Sequence, residues 1–449
     1  MSTIEKHDMT QGKILLPLVS FTIPLVLGNL FQLTYNAADS VIVGKYVGEQ
    51  ALAAVGTSTP IMNIAILLIS GMCMGASVLM SSQYGAKDYD TLSRQISTTM
   101  LAGCGFSVVF SLLMLFLANP VLRLIRVPET AIPEAAAYLR IIFMGLIFTF
   151  MYNFLANTMR ALGDSKTPLY FLVTSAFLNI FGDLFFVVVL RWGVAGSAIA
   201  TVFSEGLCCL LCGIYIKKKI PLLCLGKKWW VFDKSLLGKT VSYGSTSAMQ
   251  QVCLQLGKLI IQSVVNTQGV AVMAAFTAVN RVDDFAYTPQ QNIGHAMTTF
   301  LAQNKGAGHK ERMKKGFQTG LLIELVYSIG LFCVIWGLAP QIMTLFAEDG
   351  DAQVVSLGIS YLHLISWMYI LPGLTNGVQG FFRGIGDLKV TLYSTFMNMF
   401  GRVVAVFVMI RLLQMEFASL AWANMVGWIV MLLFEVPLLV KSMRNGECG

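Results

Sequence analysis

The amino-acid sequence predicts an all-α polytopic membrane protein: twelve transmembrane helices in two tandem six-helix lobes, related by a pseudo-two-fold axis along the membrane normal. Two observations predict the class and a third predicts the duplication. Of 449 residues, 56% are hydrophobic and only 12% charged, with a mean hydropathy of +0.70, whereas soluble domains run near one quarter charged. Apolar runs of the ~20 residues needed to cross ~30 Å of hydrocarbon recur along the whole length, leaving no room for a soluble domain. Runs that long are helices and not barrel strands. Finally, landmarks recur at a spacing of about 221–223 residues.

The apolar runs between charged or Gly/Pro breaks place helices at 14–43, 55–83, 94–118, 133–158, 167–190 and 194–216 in the first half. The second half follows with 237–266, 271–302, 313–338, 352–381, 390–411 and 417–440. The first run carries Pro17, Pro24 and Asp39 and no small-x-small cleavage site, so it is expected to stay as a helix and not to be removed as a signal peptide. The repeat pairs SQYGAKDYDTLSR (Ser82 to Arg94) with AQNKGAGHKER (Ala302 to Arg312), RALGDSKTPLY (Arg160 to Tyr170) with RGIGDLKVTLY (Arg383 to Tyr393), and VAGSAIAT (Val194 to Thr201) with FASLAWAN (Phe417 to Asn424). Six helices is an even number, so both halves enter the membrane in the same sense. The expected division is an N-lobe over 1–216, a basic cytoplasmic linker over 217–236 and a C-lobe over 237–449. Paired halves of this kind commonly place substrate near the midplane and alternate its access by rocking.

The net charge of +8 sits in loops, which points to membrane topology and not to nucleic acid. With the N-terminus inside, 22 Lys and Arg fall on the inner side and 6 on the outer, three more lying within the membrane segments. That asymmetry puts both termini in the cytosol of a cell-membrane protein. The nine cysteines are scattered, mostly within apolar helices, and form neither a disulfide framework nor a metal site. The four histidines form no HExxH, and no P-loop lysine motif is present for ATP. GIGD (Gly384 to Asp387) resembles the GxGD of intramembrane aspartyl proteases, yet it recurs as ALGD in the first half. A repeated turn accounts for it better. An enzyme is therefore a remote alternative, and no cofactor is expected beyond a coupling ion.

Asp39, in TYNAADSVIVG at the outer end of the first helix, is the residue that demands explanation, because an intramembrane carboxylate costs about 2.5–3.5 kcal/mol on insertion scales. The fifth helix reads FLNIFGDLFF, putting Asn179 and Asp183 four apart on one face, and the sixth supplies Thr201. Counted at ~1.5 Å per residue from the outer ends, Asp39, Asp183 and Thr201 lie roughly 6–12 Å below the outer surface. Two carboxylates, an amide oxygen and a hydroxyl at one depth suit a hard monovalent cation, Na+, and the carboxylate pair alone suits a proton. The second half does not repeat the set: Arg402, Val406 and Asn424 stand where Asn179, Asp183 and Thr201 stand in the first. Ion binding is thus expected in the first half alone. Glu205, one turn below Thr201, is a candidate for the ion path. Gln251, Gln255, Lys258 and Gln262 form a polar stripe on the seventh helix, and with Gln32, Asn36 and Arg402 they are candidates for a substrate cavity. Lys258 is as well explained by a structural ion pair. Arg281, Asp283 and Asp284 read as local ion pairing, and Glu324 and Glu435 as structural.

Together the tandem twelve-helix pattern, ADSVIVGKYVG, the Asn179–Asp183 spacing with Thr201, the RALGDSKTP loop and the QNKGAG loop resemble the multidrug and toxic compound extrusion (MATE) family, in its DNA-damage-inducible branch, over essentially the whole chain. The resemblance implies an antiporter that exports organic, often cationic or amphipathic, small molecules in exchange for Na+ or H+. It implies a cation site at Asp39, Asn179, Asp183 and Thr201, and a rearrangement of the first helix at Pro24. The acidic residues that another branch carries on its seventh and tenth helices are absent here, where Cys253 and Pro372 with Gly373 stand nearby. A monomer in the lipid bilayer is expected. The alternative reading is a flippase or exporter of one endogenous lipid-linked or peptide substrate.

Overall fold

In the computed structural model every described element is a helix. The structure describes residues 8–125, 127–220, 230–346, 352–413, 417 and 419–444, without the side chains at 36–41, 43, 49–50, 52–53, 346 and 411–412. The elements are α1 (Leu15–Tyr46), α2 (Glu49–Gly85), α3 (Tyr89–Leu124), α4 (Ile132–Met144), α5 (Leu146–Ala161), α6 (Lys166–Asp183) and α7 (Gly193–Lys219). They continue with α8 (Lys234–Val265), α9 (Val270–Gly306), α10 (Lys310–Phe346), α11 (Ala352–Ser366), α12 (Ile370–Gly384), α13 (Leu388–Phe407) and α14 (Ser419–Arg444).

Counting α4 with α5 and α11 with α12, these make the twelve spans that the sequence predicts. Nine described segments are long and apolar enough to cross a membrane, and the pair α4–α5, bent by 47°, makes a tenth. The other two spans are α8 and α9. Their polar content lowers them: α8 carries the Gln251 to Gln262 stripe, and α9 carries Arg281, Asp283 and Asp284.

The helix interruptions coincide with particular residues. The α4–α5 bend falls at Gly145, where a Cβ would come within 2.4 Å of Val202 of α7, so only glycine admits that approach. Between α11 and α12 the chain tightens into a 3-10 turn over Trp367–Tyr369. Pro372 follows, and its ring opposes the carbonyl four residues back, at Met368. α6 continues as a π-helical turn over Leu184–Val189, and α13 does the same over Val408–Leu412.

The duplication is written into the backbone. Positive φ recurs at Gly48 (112°) and Gly269 (103°), at Lys87 (57°) and Gly308 (73°), and at Gly163 (91°) and Gly386 (85°). The last pair are the glycines of ALGD and GIGD, which are left-handed turns leading into α6 and α13. Asp164 accepts the amides of Lys166 (3.1 Å) and Thr167 (3.0 Å) as a turn cap.

The chain divides into two units: residues 1–8 with 23–248, and residues 9–22 with 249–449. α1 and α8 therefore each begin in one unit and continue in the other. In the first unit α8 starts against α3. Asp233 caps α8 through the amides of Ser235 (2.9 Å) and Leu236 (3.3 Å) and pairs with Arg94, while Val231 N donates to Ser97 Oγ (3.0 Å). The bonds from Ser235 hold the Asp233 carboxyl below the ordinary carboxylate range. Further along α8, two glycines of α2 admit its backbone: a Cβ on Gly71 would lie 2.5 Å from Ala248 Cα, and one on Gly75 2.5 Å from the Tyr243 carbonyl carbon. The core of this unit gathers Ile69, Leu92, Leu139, Phe143 and Phe154.

In the second unit the segment before α1 is held in a similar way. Arg312 of α10 donates to the carbonyls of Met9 (3.0 Å), Gln11 (2.8 Å) and Gly12 (2.7 Å), and Asn304 Nδ2 donates to Met9 O (3.2 Å). Its core gathers Val279, Met343, Tyr361, Ile365 and Tyr369.

Candidate functional site

In the first unit α6 and α7 pack closely at Gly182, where a Cβ would meet the Cβ of Ala200 at 3.0 Å. That contact puts Thr201, next in α7, against Asn179. Asn179 Nδ2 donates to Thr201 Oγ1 (3.2 Å), and Thr201 Oγ1 donates to Ser197 O (3.2 Å). Asn179 is buried, and its Oδ1 accepts no hydrogen bond among the described residues. Asp183, one turn on, is fully buried (0% exposed) at the junction where α6 passes into its π-helical turn. π-turns cluster at functional sites, but α13 has one at the repeated position, so this turn belongs to the fold.

Three of the four predicted cation ligands thus stand together on α6 and α7. Position 39 lies in α1, and its side chain, like that of Asn36, is outside the described residues. Its level can be counted. Gly28 of α1 faces Leu172 of α6, where a Cβ would sit 3.3 Å from Leu172 Cδ2. As first and fifth spans the two helices run in the same sense, and position 39 stands as many residues beyond Gly28 as Asp183 beyond Leu172, a rise of about 16 Å in each. Glu205 is half-buried and accepts from Thr149 Oγ1 of α5 (2.5 Å). Pro24 is buried inside α1, which runs through it as one helix, next to the division between units at Thr22 and Ile23.

The rest of the predicted set falls in both units. Gln32 is exposed on α1, Gln255 is exposed, and Gln251 and Gln262 are half-buried on the part of α8 in the second unit. Gln262 Nε2 donates to Asn266 Oδ1 (2.7 Å). Lys258 pairs with Asp284 of α9 (3.3 Å), both side chains being about half exposed at 55% and 53%. Arg402 is half-buried on α13.

The local ion pairing expected for Asp283 takes another form. It is buried on α9 and accepts a hydrogen bond from the Tyr369 hydroxyl of the 3-10 turn. Asn424 Nδ2 donates to the Tyr361 hydroxyl nearby (2.8 Å). A second buried network joins α8, α9, α12 and α13: Gln250 Nε2 donates to Gln379 Oε1 (3.2 Å) and Thr395 Oγ1 (3.0 Å), and Arg383 donates to Gln379 Oε1 (2.7 Å) and contacts His295 Nδ1 (3.3 Å). Sequence reasoning assigned Arg383 to a cytosolic loop.

The sequence model of the MatE family matches residues 24–185 and again 247–409, once in each half. The chain belongs to the MatE family. This transporter is 32% identical over 392 residues to the Bacillus subtilis protein described as "Probable multidrug resistance protein YpnP", covering 87% of this chain and 86% of that one. It is 23% identical over 423 residues to the Thermotoga maritima protein described as "Probable multidrug resistance protein NorM", covering 92% and 89%. Among solved structures, a MOP superfamily transporter from Pyrococcus furiosus superposes with a TM-score of 0.91 at 21% identity, covering 99% of both chains. That likeness establishes the fold: two lobes and twelve helices. The relatives are transporters and not enzymes, and the GxGD motif of this MatE protein is a turn.

Proposed function

We propose that this MatE transporter is a cation-coupled antiporter that exports organic, amphipathic or cationic compounds in exchange for Na+ or H+ by alternating access of its lobes. Asn179 carries the reading. Its Oδ1 is a buried acceptor with no donor among the described residues, beside a fully buried carboxylate and a threonine hydroxyl. Acceptors left so in a buried site cost about 1–3 kcal/mol each, and a hard monovalent cation among oxygens offsets that cost. Asp183 and Asp39 supply charge to the ion, Asn179 and Thr201 neutral oxygens. Glu205 extends the ion path, and Pro24 acts as the hinge of α1. Gln32, Asn36, Gln251, Gln255, Lys258, Gln262 and Arg402 are assigned to the substrate cavity. The protein is placed as a monomer in the cytoplasmic membrane with both termini in the cytosol, in the DNA-damage-inducible branch, its lobes spanning 1–216 and 237–449. Export of varied compounds is supported by the multidrug descriptions of its relatives.

Thermal melting of the purified protein tests the site directly. An ion bound by the native state stabilises it by about 2.7 kcal/mol at one hundred times its Kd. Melting temperature is expected to rise with Na+, or on acidification, in the wild type and to stay flat in Asn179→Ala and Asp183→Asn. A rise of equal size in all three removes the site.

A further inference from the structure

We propose that the end of the first unit bearing the α2–α3 and α5–α6 turns is a docking face for anionic phospholipid headgroups, made of exposed lysines at helix ends and of an aromatic strap, Trp230 to Asp233, that leads into α8. The strap is fixed on α3 through alternate residues. Val231 N donates to Ser97 Oγ (3.0 Å), Thr98 Oγ1 donates to Val231 O (3.3 Å), and Asp233 N donates to Thr98 Oγ1 (3.1 Å). Asp233 also pairs with Arg94. Trp230 and Phe232, which alternate with these two anchors, are left 57% and 50% exposed.

The level of the strap follows from helix length. α3 has 36 residues, about 54 Å of helix against about 30 Å of hydrocarbon, so about 12 Å projects at each end. Ser97 and Thr98 lie roughly 12 Å along α3 from Tyr89. The strap bound to them therefore sits at the border of the hydrocarbon, the layer that large aromatic side chains favour.

The cations share that level. The apolar span Gly193–Lys219, of 27 residues, ends in Lys217, Lys218 and Lys219, and the span Lys166–Val189, of 24 residues, begins with Lys166. Spans of those lengths overhang the hydrocarbon by only about 3–5 Å at each end, which places the four lysines among the headgroups. The two ends are joined where Thr167 Oγ1 and the Tyr215 hydroxyl stand 3.5 Å apart, and Ile216 and Ile220 are buried in one core with Leu92 and Ile96 of α3. Lys87 before α3, and Lys234 and Lys239 after the strap, bring the exposed lysines to seven. Against them the exposed acids of this end, among the described residues, are Asp88 and Asp90. Asp88 is spent as the cap of α3, and Asp90 lies 4.0 Å from Arg94.

Surplus positive charge at headgroup depth matches lipid phosphates, and the exposed Trp230 and Phe232 match the acyl border beneath them. A soluble polyanion would use the lysines and leave the aromatic pair without a role. The strap runs into α8, which begins in the first unit and continues in the second. Lipid held there fixes the first-unit end of a helix that both units share.

The test follows melting of the full purified transporter in neutral-detergent micelles as phosphatidylglycerol, phosphatidylcholine or inorganic phosphate is added. Phosphatidylglycerol is expected to raise the melting temperature at a lower mole fraction than phosphatidylcholine, and inorganic phosphate to leave it unchanged. A lysine beside an anionic surface is worth about fivefold in binding, so Lys217→Gln, Lys218→Gln and Lys219→Gln together are expected to raise the half-saturating phosphatidylglycerol by about tenfold or more. Trp230→Ala with Phe232→Ala is expected to raise it by about threefold or more. Arg123→Gln, at the far end of α3, is the control and is expected to leave it unchanged. In wild type the preference is expected to fade in 1 M NaCl, where charges are screened within about 3 Å. The proposal is overturned if the two lipids act alike on the wild type, if the preference persists in 1 M NaCl, or if the triple lysine variant responds as wild type does. Inorganic phosphate stabilising as well as phosphatidylglycerol overturns it in favour of a soluble anion, and an unshifted response in the aromatic pair overturns the part given to the strap.

Discussion

Gly75 gives the sharpest structural prediction. A methyl added there would sit 2.5 Å from the Tyr243 carbonyl carbon and oxygen and 2.6 Å from Gly244 N, all backbone. Ordinary contact begins near 3.4 Å, so α2 and α8 would have to part by about 1 Å, and no rotamer change relieves the clash. Overpacking of this kind costs about 1–3 kcal/mol, which for a chain of this size lowers the melting temperature by about 2–5 °C. Gly105 is the control: its Cβ would meet nothing within 4 Å on α3, and Gly→Ala in a helix interior gains about 0.5–1 kcal/mol. Gly71→Ala should resemble Gly75→Ala, and the double variant should fall short of the sum because both open one crossing. Melting of the purified proteins by intrinsic fluorescence reads all four. If Gly75→Ala melts at or above Gly105→Ala, α2 and the start of α8 do not pack as described.

Other variants probe single interactions. Thr201→Val removes the acceptor of Asn179 Nδ2 and one cation oxygen while keeping the shape; Na+ affinity, read from melting against Na+ concentration, should fall about tenfold, the equivalent of one hydrogen bond, and Thr201→Ser should restore it. Asp88 caps α3 through Thr91 N (3.1 Å), and the bonds from Thr91 hold its carboxyl below the usual value. A lowered carboxylate contributes stability that is present above the unfolded-state value and is lost as pH falls through the folded one, below about pH 4. Asp88→Ala should therefore cost about 1 kcal/mol or less at neutral pH, the capping bond being exposed, and nothing in strong acid. Stability curves at the two pH values check the sign. The half-exposed Lys258–Asp284 pair contributes about 0–1 kcal/mol, so Lys258→Gln should leave melting nearly unchanged, and a drop of several degrees would show the pair to be structural.

Most of the fold was legible because membrane helices must satisfy their own backbone, so apolar length marks most of the spans, α8 and α9 being the more polar exceptions. Predicted and observed ends agree closely for 167–190, a helix running from Lys166 through Val189, and for 194–216, which is Gly193–Lys219, while 94–118 and 313–338 fall short of Tyr89–Leu124 and Lys310–Phe346. The interruptions were not legible. Gly145, at the bend of its span, lies against Val202, far along the chain, and a glycine in a sequence does not announce its neighbour. The beginnings of α1 and α8 gave no sign of belonging with the opposite unit, since Arg94 and Arg312 read only as inner-side positive charge.

The candidate site was legible in part for the same reason. Asn179 and Asp183 share a face by helical spacing, and Thr201 was placed by depth. Glu324 read as structural because one carboxylate in an apolar run shows nothing of its surroundings; that it is buried with no hydrogen bond to either oxygen among the described residues emerges only in the structure. Asp283 was grouped with Arg281 and Asp284 by proximity in sequence, but consecutive helical residues point apart, and Asp283 turns inward to Tyr369 while Asp284 turns to Lys258.

The central claim is that ion loading at the α6–α7 site drives export. Proteoliposomes holding wild type or Asp183→Asn, given Na+ and pH gradients separately with a fluorescent organic cation as substrate, test it most directly. Gradient-driven accumulation is predicted in the wild type with at least one of the two ions and is predicted to vanish in Asp183→Asn. Undiminished gradient-driven accumulation in Asp183→Asn would contradict it.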